Sequence, residues 1–342
     1  MLALMDTLRR MQGDALGLLG FGPAECSYRV LCAERCWRLR KYAGARGGPP
    51  VLIVAAPIKQ PYIWDLASAV SAVRRCLRGH LAVYLLEWAP PSGGGANAGL
   101  ADYAGRFIGE AVTRVSDDAG GAKPFVMGHS LGGTLAAVFA ASDPRSIRGL
   151  VLLATPLCFE PGSSRFRDAI VAMAPSAVSA MDIVPGSLLS QLSAMASPET
   201  FVWWRAIDAC LSMGDPRASE VHARVERWAL DECPLSGRLV NDILQRLYRD
   251  NRFCGGTLRI GSRAVGPAML RLPTLAVVNT ADEVAPSASI MPFVDAMPRG
   301  RARVIEYPGE IGVGLQHLAI LVGRRTHAQV WPQIVSWIHA HA

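Results

Sequence analysis

Within a chain of 342 residues, the run Gly128-His129-Ser130-Leu131-Gly132-Gly133 is the segment best suited to covalent chemistry. It follows a short apolar stretch, Pro124 to Met127, and precedes small and apolar residues from Thr134 to Ala141. A serine between two glycines at such a strand-to-helix junction has the form of a nucleophile elbow. The turn is sharp enough that Gly128 and Gly132 are required, because a Cβ at either would strike the facing backbone. Ser130 would then stand at the carboxyl end of its strand. The Leu131 amide would point at the oxyanion formed when the hydroxyl attacks a carbonyl.

A serine hydroxyl is a weak nucleophile near neutral pH and needs an imidazole base, itself oriented by a carboxylate. In elbow folds the chain order is serine, acid, histidine. Asp282 follows an apolar run, Leu275 to Val278, within Asn279-Thr280-Ala281-Asp282-Glu283-Val284, which puts it in a loop leaving a strand. Glu283 beside it would face elsewhere, and the competing role for Asp282 is to cap the next helix. His317 lies between the last expected strand and an apolar helix, so it is the base of choice. His80 and His222 precede the acid, His327 falls within a helix, and His339 and His341 lie at the end. His129 is directed by the elbow itself. The second oxyanion donor belongs to the loop Ala56-Pro57-Ile58-Lys59. Pro57 has no N–H, which leaves Ile58. Lys59 reads either as an aid to an anionic substrate or as a solvated loop charge.

Several elements must position these groups. Apolar runs at 51–55, 81–86, 124–127, 149–154 and 274–278 read as strands buried on both faces, with 303–306 as the last. Helical stretches are expected at 65–77 and 100–115, with a Pro/Gly-rich loop at 90–99. The alternation predicts an α/β fold with a mostly parallel sheet and helices on both faces. The rhythm breaks at 157–250, a helical stretch without a convincing strand. An insertion at this point would lie over the site as a lid. Its Met173, Met181, Met195, Met213, Trp203 and Trp204 would fill its own core or line an acyl pocket. The expected division is an amphipathic helix at 1–26, core at 27–156, lid at 157–250, and core again at 251–342. The apolar face of the first helix (Leu2, Met5, Leu8, Met11) is expected to pack on the body or on a partner, with a lipid or polymer surface as the alternative.

Composition narrows the function. The hydrophobic fraction of 51% suits a large core, and no stretch has the length and apolarity of a membrane span. The first twenty residues lack the pattern of a secretory signal. The eight cysteines are scattered, with no Cys-x-x-Cys pair and no histidine at ligand spacing, so neither a structural metal nor a disulfide framework is expected. Together these features predict a cytoplasmic protein. The formal charge of +7 comes from arginine, since the only lysines are Lys41, Lys59 and Lys123. It fits an anionic substrate such as a CoA thioester, or an acidic carrier protein. No dense basic run favours nucleic acid.

The chain resembles the polyhydroxyalkanoate synthase family, especially its shorter type, which works with a partner subunit. The resemblance rests on Pro50 to Val54, Tyr62-Ile63-Trp64-Asp65-Leu66, Leu86-Glu87-Trp88 and Val184-Pro185-Gly186. It continues through Leu247 to Phe253 with Gly256, and from Val322-Gly323 to Trp331-Pro332, spanning residues 28–338. It implies an α/β-hydrolase fold with a lid, a triad on Ser130, Asp282 and His317, no cofactor, and a homodimer. These synthases carry cysteine at the elbow, and Ser130 departs from them. Their thiolate exchanges thioester for thioester, whereas serine forms a lower-energy oxoester that is commonly released to water. The expectation is therefore a serine acyl enzyme, with hydrolysis ahead of transfer, acting on hydroxyacyl or related esters or thioesters. The alternatives are a synthase using serine, an acyl shuttle serving a carrier protein, and a non-catalytic subunit bound to a polymer granule.

Overall fold

The computed structural model describes residues 2–44, 47–93, 97–174 and 181–342. Parts of the expected 90–99 loop and of the 157–250 lid, and the side chain of Leu2, lie outside the described residues. Eight strands form one sheet: β1 (Tyr28–Ala33), β2 (Trp37–Tyr42), β3 (Pro50–Val54), β4 (Ala82–Trp88), β5 (Phe125–His129), β6 (Gly149–Leu153), β7 (Thr274–Asn279) and β8 (Ala302–Tyr307). Their order is β1-β2-β4-β3-β5-β6-β7-β8, with β2 antiparallel to both its neighbours, β1 and β4, and every other pairing parallel. This is an α/β-hydrolase sheet.

Period-two alternation divides the core cleanly. Val51 and Ile53 of β3, with Phe125 and Met127 of β5, face a layer holding Cys76 of α2 (Ala72–Arg78) and Trp331, Ile334 and Trp337 of the helix Trp331–Ala340. Leu52, Val54 and Val126 face the other layer, built from α3 (Ile108–Asp118) and α4 (Ser130–Ser142). Strands buried on both faces explain why these runs read as uninterrupted apolar stretches. The edge hairpin β1–β2 was not anticipated. Charged residues are interleaved along β2, where Arg40 pairs with Glu25 and Glu87 instead of facing water.

Three further expectations need correction. The helix expected at 65–77 begins only at Ala72, because Asp65 is fully buried and spends its carboxylate on the Cys26 amide and the Ser71 hydroxyl. That chemistry selects a short hairpin, Asp65–Ala67 against Val70–Ser71, and Ser71 then caps α2. The 157–250 stretch does contain strand pairing, Ile183–Val184 with Leu235–Ser236. Cysteine is not wholly reduced either: Cys158 and Cys254 are joined in a disulfide that links the chain just after β6 to the segment beyond Leu247.

The helical insertion includes α5 (Arg165–Met173), α6 (Gly186–Ala196), α7 (Trp204–Ser212) and α8 (Pro216–Ala229). Its Met195, Met213, Trp203 and Trp204 are exposed, so they do not fill a core of the insertion. The first helix, α1 (Leu2–Leu16), docks on α6 and α8 through half-buried Met5, whose sulfur accepts from Gln191, and through polar and small residues. Arg9 bonds Glu232, Asp6 accepts from the Ser187 amide, and buried Gly13 lies against Leu230. Leu8 and Met11, expected to pack, face solvent because the opposite side finds charged partners. Among the described residues no helix is long and apolar enough to cross a membrane.

Candidate functional site at the carboxyl edge of the sheet

Ser130 opens α4 directly after β5, with a backbone φ of 53°. A non-glycine residue in the left-handed region costs about 1–3 kcal/mol and persists only where its surroundings impose it. Here the surroundings are glycines. A Cβ on Gly128 would lie 2.6 Å from the Gly133 Cα, and one on Gly132 would fall on the Val54 carbonyl and 2.9 Å from the Ala56 nitrogen. Gly133, quoted with the motif but given no role, is equally constrained: its Cβ would overlap the Thr155 side chain. The three glycines let α4 settle onto the ends of β3, β5 and β6.

That approach brings Leu131 beside the loop after β3. Leu131 and Ile58 are both half-buried and pack against the same core layer. The Leu131 amide belongs to the first helical turn, whose N–H groups have no intrahelical acceptor. The β3 loop is fixed from one side by Trp88, whose indole N–H donates to the Ala55 carbonyl at 2.6 Å. From the insertion, the Cys233 amide donates to the Ile58 carbonyl at 3.0 Å. Lys59 is not a solvated charge: it bonds Ser190, the Ala229 carbonyl and Glu232. Burial pulls its pKa down to about 8 against the raising influence of Glu232.

Asp282 and His317 meet at the same edge. Asp282 leaves the end of β7 and is 2% exposed; its Oδ2 lies 2.7 Å from His317 Nδ1. Its Oδ1 accepts from the amides of Val284 and Ala285, at 2.9 and 3.0 Å. Oδ1 thus braces the turn after Asp282 and caps no helix, since the next one, Ser287–Ser289, starts at Pro286 without a side-chain cap. Burial pushes the Asp282 carboxyl up, but His317 and the two amides outweigh it and hold the group below its ordinary value. Glu283 does face elsewhere, accepting from Thr200 of the insertion.

His317 is buried, and among the described residues its Nε2 has no hydrogen-bond partner. Its ring centroid lies 4.7 Å from that of His129, the residue before Ser130. Two residues without an assigned role hold its backbone. His129 Nε2 donates to the His317 carbonyl at 2.8 Å, and Asn279 Nδ2 donates to the Gln316 carbonyl at 2.9 Å. Burial, with the neighbouring His317, pulls the His129 pKa down to about 3, so it stays neutral and keeps one N–H to give. Asn279 ends the acid's own strand, which was its only visible signal. His222, His327, His339 and His341 bond elsewhere: His222 meets Asp208, His327 the Leu321 carbonyl, His339 the Gly79 carbonyl and His341 the Trp337 carbonyl. Among the described residues no cluster of His, Cys, Asp or Glu is placed to hold a metal ion.

A family model described as Hydrolase_4, serine aminopeptidase S33, matches residues 106–311. The poly(3-hydroxyalkanoate) polymerase subunit PhaC of Haloferax mediterranei is 30% identical, over 84% of this chain and 58% of that protein. The protein of the same name from Synechocystis sp. is 27% identical, over 98% of this chain and 88% of that one. The chain thus spans under two thirds of the Haloferax relative. The crystal structure of an esterase from a Rhodococcus species shares the fold, with a TM-score of 0.56 at 16% identity, covering 92% of this chain and 100% of that one.

Two expectations concern stability. Gly132→Ala should cost about 1–3 kcal/mol by overpacking the junction with Val54 and Ala56, read as a lowered thermal midpoint; an unchanged midpoint would contradict the tight approach. His129 and buried His327 titrate near 6.5 when unfolded but at about 3 and about 4 when folded, burial being the main cause. Between those values the unfolded chain binds more protons, so stability rises with pH. Thermal midpoints should fall as pH drops from 7 towards 4, and less steeply in His327→Gln. Parallel slopes for the two proteins would argue against it.

Proposed function

The chain belongs to the Hydrolase_4 family of α/β-hydrolases, and from that premise we propose that it is a serine acyl enzyme working through an acyl-Ser130 intermediate. The observation that carries this reading is the Asp282–His317 bond at the carboxyl edge of the sheet, with the far imidazole nitrogen unpaired among the described residues. By accepting from Nδ1–H, Asp282 fixes the tautomer that leaves Nε2 basic. Nε2 takes the Ser130 proton as Oγ adds to the substrate carbonyl. Leu131 and Ile58 amides receive the developing oxyanion. Collapse expels an alcohol or thiol, which takes the proton from His317. Water or an acyl acceptor, deprotonated by the same nitrogen, then releases the acyl group.

Hydroxyacyl or related esters and thioesters are the proposed substrates, supported by likeness to proteins named as polyhydroxyalkanoate polymerases. An acyl-CoA or a thioester on an acidic carrier protein suits the +7 charge. The mechanism calls for no cofactor. Serine favours hydrolysis or single acyl transfer over chain growth, because an oxoester does not hand its acyl group back to a thiol as readily as a thioester does. A second reading, attachment to a polymer granule, is favoured by the exposed Leu4, Leu8, Met11, Trp203, Trp204 and Met213.

Ser130→Ala should lower turnover of p-nitrophenyl butyrate by about 10³-fold or more, with the thermal midpoint within a few degrees. Turnover equal to that of the wild type would sink the proposal. Ser130→Cys, offered hydroxybutyryl-CoA, should shift the balance from free acid towards acyl exchange with added thiol; an unchanged product ratio would contradict the chemical argument for serine.

A further inference from the structure

His317 hangs at the end of a loop that leaves β8, and this loop is gripped by the helical insertion. Asp208 of α7 is buried, with Oδ1 accepting from the Gly312 amide and Oδ2 from the Gly314 amide, each at 2.7 Å. Both glycines have left-handed backbones, φ 82° and 70°, and their N–H groups, two residues apart, meet one carboxylate. A Cβ on Gly312 would lie 3.1 Å from Ala218, and one on Gly314 would lie 3.1 Å from Val225, both on α8. Val313, between them, is buried. His222 of α8 approaches Asp208 Oδ2 at 3.2 Å, and Glu226 is 3.6 Å from the far nitrogen of that imidazole. Ser212 closes α7 by donating to the Asp208 carbonyl at 2.6 Å, and Ser219 of α8 donates to the Ser212 carbonyl at 2.7 Å. The carboxylate is thus held between α7 and α8, and it holds the loop three to five residues ahead of His317.

We infer that Asp208 is a positioning residue: it suspends the His317 loop from the insertion, so that the seat of α7 and α8 sets where the imidazole stands. The inference rests on the reading of His317 as the base for Ser130. Asp208 touches no reacting atom; it acts through the backbone of Gly312 and Gly314. The opposite end of the loop is tied to the body of the fold. His129 and Asn279 hold the carbonyls of His317 and Gln316, and Glu310 accepts from the amides of Arg325 and Thr326. Two anchors, one on the sheet and one on the insertion, define a loop that follows the insertion if the insertion moves. A neutral acceptor at 208 serves one amide and turns a donor towards the other, so Asn should retain part of the effect and Ala none.

The test is inactivation of the full chain by a fluorophosphonate, separating the maximal rate kinact from the half-saturating concentration KI, in wild type, Asp208→Ala, Asp208→Asn and the surface control Glu220→Ala. Amide hydrogen exchange over residues 310–317 is measured alongside. Expected are a fall in kinact of tenfold or more in Asp208→Ala, with KI within twofold, a smaller fall in Asp208→Asn, and no change in Glu220→Ala. Exchange at Gly312 and Gly314 should quicken in both Asp208 variants. Wild-type kinact in a folded Asp208→Asn with quickened exchange overturns this inference alone. So does a loss that merely tracks a lowered thermal midpoint. Wild-type protein that labels no faster than Ser130→Ala overturns the Ser130 reading and this inference with it.

Discussion

Everything at the carboxyl edge depends on how closely α4 can approach the sheet. Gly128, Gly132 and Gly133 remove the side chains that would otherwise strike Gly133, the Val54–Ala56 backbone and Thr155. With that space open, the chain reverses within one residue, and Ser130 is driven to a φ of 53°. The same contact sets the first turn of α4 against the loop after β3, where Ile58 stands. Local backbone strain at the serine is thus offset by packing that extends across three strands.

The second half of the site is built by buried hydrogen bonds. Asp282 is removed from water, which alone would favour its protonation, and is kept charged by the imidazole on one oxygen and two amides on the other. His317 in turn is located by groups from three separate elements: His129 from β5, Asn279 from β7 and, through the glycine turn, Asp208 from α7. An imidazole held in this way keeps its direction and leaves Nε2 available for the proton transfer proposed for it. The arrangement also joins two regions often treated apart, since the insertion that lies between β6 and β7 in sequence reaches the loop after β8 in space.

Much of this was legible in the amino-acid order, and the exceptions share a cause. Strands buried on both faces appear as plain apolar runs, so β3 to β7 could be located, while β8 is an edge strand with Arg303 and Glu306 exposed; the residues following β5, β7 and β8 stood out by type. What escaped detection relies on polar side chains finding distant partners. Arg40 sits in β2 because Glu25 and Glu87 neutralise it, so its hairpin carries no apolar signature. Asp65 breaks an expected helix by serving Cys26 and Ser71. The α1 helix packs Met5 of its apolar stripe but exposes Leu8 and Met11, because Asp6 and Arg9 find partners on the docked side. Asp208 lies 104 residues from Gly312, beyond the reach of any local pattern.

Relatives named as polymerases and a serine at the elbow pull the chemistry in different directions, and the acyl-enzyme resolves the matter most directly. The decisive measurement is the intact mass of the protein within seconds of mixing with a series of acyl-CoA and 3-hydroxyacyl-CoA thioesters. The account predicts an increment of one acyl unit on the wild type, absent from Ser130→Ala, that decays to free acid in water or moves to an added acceptor. An increment that persists in Ser130→Ala, or CoA released at the same rate by both proteins, would contradict it.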